Sequence, residues 1–88
     1  MDDERPHRDF PETYSIKAVG KDQDDFAEHA KAVVTSIVAA RDSVSFKTRE
    51  SKKGTYLSVT IHFTAADQAE LDLVFTTMNA DDRVVWVL

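Results

Sequence analysis

Three histidines, a group of hydroxyls and a basic cluster are the residues whose types and spacing could do chemistry in this chain of 88 residues. His7, His29 and His62 stand far apart in sequence, and Asp25 with His29 is the one i, i+4 pair that would meet on a helix flank. A metal ion needs several ligands converging on one point, so the sequence predicts no metal site and no cofactor. Ser58, Thr60 and His62 share the parity of a strand and so one of its faces. Nucleophilic catalysis needs a nucleophile touching a base, whereas residues two apart on a strand stand about 7 Å apart. No catalytic residue is predicted, and the chain reads as a protein without enzyme activity. The absence of cysteine excludes disulfides, thiolate metal sites and cysteine nucleophiles together. The two glycines, Gly20 and Gly54, form no phosphate-binding loop.

Lys47, Arg49, Lys52 and Lys53 form a basic cluster in an otherwise acidic chain, whose net charge is −5. The first 12 residues hold five acids (Asp2, Asp3, Glu4, Asp9, Glu12) against Arg5 and Arg8, and the remainder holds 11 acids and 9 bases. The acidity therefore belongs mostly to the start of the chain. Residues 1–11, charged and bounded by Pro6 and Pro11, read as a flexible tail, and residues 12–88 as one domain. The opening Met1-Asp2-Asp3-Glu4-Arg5 is the reverse of a secretory signal, and no apolar run approaches a membrane span. The expectation is a cytoplasmic protein.

The elements that must position these residues follow from periodicity. Tyr14, Ile16 and Ala18 alternate with Ser15, Lys17 and Val19, a strand ended by Gly20. Asp22 is placed to cap a helix with Asp24, Asp25 and Glu28 in its first turns. Phe26, Ala30, Val33, Val34, Ile37 and Val38 supply the apolar stripe of that helix, which is predicted to end near Arg41. A second strand over Val44–Glu50 and a turn at Ser51-Lys52-Lys53-Gly54 lead into the clearest pattern in the chain. There Leu57, Val59, Ile61 and Phe63 point one way, and Tyr56, Ser58, Thr60, His62 and Thr64 the other. A second helix is predicted from Ala65 or Ala66, capped by Thr64 with Asp67 three residues on, with Leu71, Val74, Phe75 and Met78 as its stripe. Residues 79–83 read as a loop and Val84–Leu88 as a terminal strand.

The order β-α-β-β-α-β predicts an α+β ferredoxin-like two-layer sandwich. Right-handed crossovers put both helices on one face of a four-stranded antiparallel sheet of order 4-1-3-2. The other face is open and should carry Lys17, Tyr56, Ser58, Thr60 and His62, a candidate surface for a protein partner or a small anionic metabolite. RNA-binding modules of this topology stack bases on aromatics. Tyr56 is the single aromatic expected on this face, and with the acidic net charge this argues against nucleic acid. The terminal strand is apolar on both faces and lies at a sheet edge, which predicts a homodimer through Val84–Leu88.

Three stretches carry a family likeness: Phe10-Pro11-Glu12-Thr13-Tyr14-Ser15-Ile16-Lys17, the run from Ser51 through Lys52-Lys53-Gly54-Thr55-Tyr56-Leu57-Ser58-Val59 to Thr60, and Leu71-Asp72 leading to Val87-Leu88. With them the chain resembles the YbeD-like family of small bacterial proteins of unknown function. The resemblance implies a ferredoxin-type fold similar to the ACT-type regulatory domains of biosynthetic enzymes, and no catalytic residues. It also implies a regulatory role, with a tie to lipoate attachment drawn from gene neighbours of some members. Its recurring positions fall here on Phe10, Pro11, Ile16, Lys17, Gly20, Gly54, Tyr56, Ser58, Thr60 and Leu71. Lys17, Tyr56, Ser58 and Thr60 stand out because core packing does not account for them. An ACT-like dimeric domain binding a small effector is the alternative to an interaction module.

Overall fold

Strand β3 (Tyr56–Ala65) organises the molecule. Its odd residues, Leu57 to Ala65, are buried and its even residues half-buried, as a central strand with one covered face requires. The computed structural model describes residues 10–21 and 25–88. Around β3 lie β1 (Glu12–Lys21), α1 (Phe26–Ile37), β2 (Ser45–Glu50), α2 (Gln68–Ala80) and β4 (Val84–Val87). The strand order is β2-β3-β1-β4, all pairs antiparallel, as predicted. Among the described residues, no helix is long and apolar enough to cross a membrane.

Both helices lay their apolar stripes on the same sheet face. Phe26, Ala30 and Val34 of α1 meet Leu71, Val74 and Met78 of α2 over Ile16, Ala18, Val59, Ile61 and Phe63. No polar or charged side chain is buried among the described residues, so burial of apolar area is what holds these layers together. Phe10, within the predicted tail, packs against this core and lies 6.1 Å from the Tyr14 ring. Residues 1–9 of that tail lie outside the described residues.

The helix ends differ from the pattern-based expectation, and at the end of α1 and at Thr64 a tertiary partner takes a backbone N–H. Asp22 and Asp24 lie outside the described residues; α1 starts at Phe26 with Asp25 at its N-cap. Its end is Ile37 rather than Arg41. Val38 turns extended, the Ala39 N–H donates to Glu70 of α2 at 3.0 Å, and Arg41–Ser43 form a single 3-10 turn. Helix α2 begins two to three residues later than expected. Its cap is Asp67, which accepts from the Glu70 N–H at 2.8 Å, while Glu70 reaches back to the Ala66 N–H. Thr64 has other partners: its N–H donates to Ser43 Oγ, and its hydroxyl lies 3.3 Å from that of Thr13. Asn79 and Ala80, expected in a loop, complete α2.

The turn between β2 and β3 forms as its residues demand. Gly54 has φ 70°, and Ser51 Oγ accepts from both the Thr55 and Tyr56 N–H groups at 3.1 Å. The sheet's two edges differ. On β2, Lys47, Arg49 and Glu50 are exposed, and Lys31 of α1 sits 5.6 Å from the half-buried Phe46 ring. Charge of that kind protects an edge. On β4, Val85 and Trp86 are about half exposed and uncharged.

Candidate functional site

The register of the strands assembles the open face row by row. Arg49 of β2 lies beside Ser58 of β3, which pairs with Val19 of β1, which pairs with Trp86 of β4. The next row runs Lys47, Thr60, Lys17, and then Leu88, which exchanges two backbone hydrogen bonds with Lys17 at 2.8 and 3.2 Å. The third row is Ser45, His62, Ser15. Beyond the first row, Tyr56 stands at the start of β3, its ring centroid 5.9 Å from that of Trp86 and tilted by 45°. Tilted rings at this separation make a favourable aromatic contact.

These rows produce an open depression of about 370 Å³ lined by Lys17, Val19, Arg49, Glu50, Ser51, Tyr56, Ser58, Trp86 and Leu88. Its floor is apolar: Val19 is only 5% exposed although it faces away from the helices. Lys17 and Arg49 supply positive charge. No open-face strand position among the described residues holds a carboxylate; Glu50 is one residue out of phase with them. Tyr56 also borders a second depression with Ser51, Lys52, Lys53 and Thr55. The site is therefore a paired aromatic corner with bases on two sides.

Of the predicted face residues, the structure brings Lys17, Tyr56 and Ser58 together in the depression. Thr60 lies in the Lys17 row, and His62 one row farther. Ser58 and His62 are four residues apart along β3, about 13 Å at the rise of a strand, too far for proton transfer between them. The basic hairpin divides: Lys47 and Arg49 belong to the open face, and Lys52 and Lys53 to the turn beyond it.

One expectation is corrected here. Tyr56 is not the only aromatic on this face, because Trp86 stands beside it. The residues of β4 are all apolar, so nothing in its own pattern shows which of them face outward. The pairing of Trp86 with Val19, known to share the parity of Lys17, decides the matter. The paired signal in the sequence was Val19 itself, an apolar residue on a polar face.

The Asp25–His29 pair also resolves differently from its helical spacing. Arg83 donates to Asp25 at 2.7 Å, and His29 Nε2 is 2.6 Å from Asp81. Each thus takes its own partner from the segment between α2 and β4. The Arg83 guanidinium, through its hydrogen bond and its charge, holds the Asp25 carboxyl below the ordinary carboxylate range. The stabilisation this implies is present above that range and fades as pH falls through the lowered value. These contacts lie at the helix-side end of the molecule and tie α1 to the start of β4.

Two helices on one face of an antiparallel sheet, joined β-α-β-β-α-β, define a ferredoxin-like α+β sandwich. The solution structure of protein HP0495 from H. pylori has the same fold, with a TM-score of 0.71 at 18% identity over 99% of this chain and 91% of that one. Residues 5–88 match the family described as "Protein of unknown function (DUF493)", and the chain belongs to that family. It is 35% identical to a UPF0250 protein of Shewanella halifaxensis over 80 residues, covering 91% of this chain and 89% of that protein. A UPF0250 protein of Azotobacter vinelandii is 32% identical over 88 residues, covering 99% and 96%. These are the YbeD-like small bacterial proteins that the sequence resembles.

Proposed function

We propose that this protein is a small cytoplasmic interaction or regulatory module, without catalytic activity, that binds an anionic partner through its open sheet face. The observation that carries this reading is the depression in which Lys17 and Arg49 flank Tyr56 and Trp86. Aromatic rings and arginine are the residues that concentrate binding energy at interfaces. A face with an excess of positive charge steers and selects partners of the opposite charge. Affinity capture from native cytoplasm with the wild-type chain and with Lys17→Ala/Tyr56→Ala tests it. The double variant, shown by circular dichroism to be folded, is expected to lose the bound acidic species at least about tenfold, the scale of one interface hot spot. An identical set of bound species from both chains sinks the reading.

A second reading is a dimeric effector-binding domain, similar to the ACT type, and it is favoured by the β4 edge. Val85, Trp86 and Leu88 are 48%, 47% and 67% exposed, and the edge carries no charge to oppose pairing. Joining two β4 strands would create one eight-stranded sheet and bring two open faces together. A tie of such a domain to lipoate metabolism rests on the family resemblance alone. Sedimentation equilibrium at tens of micromolar is expected to show a dimer under this reading, with Val85→Lys returning it to monomer; a wild-type monomer at that concentration removes it.

A further inference from the structure

We infer that the Tyr56–Trp86 corner is a subsite for the bases of a single-stranded nucleic acid, whose phosphates lie along Lys17, Arg49 and Lys47. The inference rests on the open face being the binding surface and names the class of its ligand. Three observations carry it together.

The first is the pair of rings. Trp86 is 47% exposed beside Tyr56, with their centroids 5.9 Å apart. A planar base covers an indole or phenol face well, and it does so whatever the sequence of bases. A run of acidic side chains alone offers carboxylates to the lysines but no aromatic ring to the indole. The second is the spread of the bases across the sheet. Strands stand about 4.8 Å apart, so Arg49 on β2 is about 14 Å from Trp86 on β4, with Lys17 on the strand beside Trp86. That span is longer than one phosphate can use and suits a chain of several. The third is segregation of charge. Among the described residues the open-face strand positions hold bases and no carboxylate, and in the depression Glu50 stands against the two bases Lys17 and Arg49. The overall acidity thus does not describe the field at this face.

Continuity supports the same ligand. Tyr56 is shared between the depression holding Lys17 and Arg49 and the one holding Lys52 and Lys53. A strand of nucleotides crossing the Tyr56 ridge would meet positive charge on both sides. Val19 and Leu88 offer the base apolar contact within the depression.

Trp86 is the only tryptophan of the chain, so its fluorescence reports this site and no other. The test titrates the full chain at low salt with an oligouridylate of about eight nucleotides, a length within known single-strand site sizes. Uridine monophosphate and an oligoglutamate of matched charge are titrated alongside, with correction for absorption by the nucleotides. The oligouridylate is expected to change Trp86 emission and to bind more tightly than either of the other two. With three phosphate contacts, log K should fall with a slope of about −2, so that tenfold more salt weakens binding about 100-fold. Lys17→Gln and Arg49→Gln are each expected to lower that slope, and Tyr56→Ala to weaken binding about tenfold, by the scale of one stacked base. Anisotropy of a labelled oligonucleotide gives the same comparison for Trp86→Ala, which lacks the fluorophore. Oligoglutamate binding as tightly as the oligouridylate overturns the nucleic-acid assignment and leaves the anionic-face reading standing. The monophosphate binding as tightly as the oligomer overturns the polymer in favour of a small metabolite. No response to any of the three anions, in emission or anisotropy, overturns both.

Discussion

Phe63→Ala is expected to destabilise the protein by about 3–5 kcal/mol, the range for removing a buried aromatic ring. Phe63 is fully buried on β3, pairs with Tyr14 of β1, and its ring centroid lies 6.4 Å from that of Tyr14. The loss combines the apolar area no longer buried with the cavity left under the helices, which close-packed neighbours fill only in part. At roughly 0.05–0.15 kcal/mol per residue, a domain of this length has about 4–13 kcal/mol in all. The variant therefore stands near the threshold of folding. Urea unfolding at fixed m-value measures the change, and thermal unfolding should show a midpoint lowered by at least about 12 °C. Phe63→Leu, which keeps most of the volume, should lose less. A Phe63→Ala cost below about 1 kcal/mol would show that this ring is not a core member.

Gly20→Ala has the second-largest expected effect, about 1–3 kcal/mol from overpacking. A Cβ on Gly20 would stand 2.5 Å from the Arg83 carbonyl oxygen and 2.5 Å from Cζ of Phe26. Neither neighbour gives way easily. The first is backbone next to β4, and Phe26 is 1% exposed with the Arg83 guanidinium 5.8 Å from its ring centroid. Moving that ring would also disturb the Asp25–Arg83 ion pair. The close approach coincides with the register shift between Val19 and Gly20 in the pairing with β4. Gly54→Ala is the informative comparison. There a Cβ meets nothing within 4 Å, and only the φ of 70° opposes it, at a cost of about 1–2 kcal/mol. The two glycines are thus needed for different reasons, space at one and backbone conformation at the other. Denaturant midpoints for both variants separate them if Phe26→Leu, which withdraws the ring but leaves the Arg83 carbonyl, relieves part of the Gly20→Ala cost and leaves Gly54→Ala unchanged. A Gly20→Ala chain as stable as the wild type would contradict the packing described around Arg83 and Phe26.

The family resemblance and the periodicity of the chain agree on the fold, and the solution structure of protein HP0495 from H. pylori has it. The candidate site was legible in part. Lys17, Tyr56 and Ser58 followed from strand parity alone, because β3 alternates so strictly that its apolar set must face the helices. Trp86 did not follow. A strand with apolar residues at every position has no parity to read, and its facing depends on which residue of β1 it pairs with. The Asp67 cap was hidden for a related reason. Thr64, the expected cap, is drawn into the sheet by partners 51 and 21 residues away, Thr13 and Ser43.

By itself the sequence determined what short-range pattern can determine. That comprises the order of elements, the inward faces of β1, β3 and both helices, the Gly54 turn, and the separation of acidic start from basic hairpin. Only the tertiary structure decided where α1 stops, which residue caps α2, what partners Asp25 and His29 take, and that Trp86 joins Tyr56. Each of these depends on groups distant in the chain competing for a backbone or side-chain partner. Alternation and helical period are set by sterics within a few residues. Register and caps are set by which long-range pairing satisfies the most buried groups, and that is known only once the layers meet.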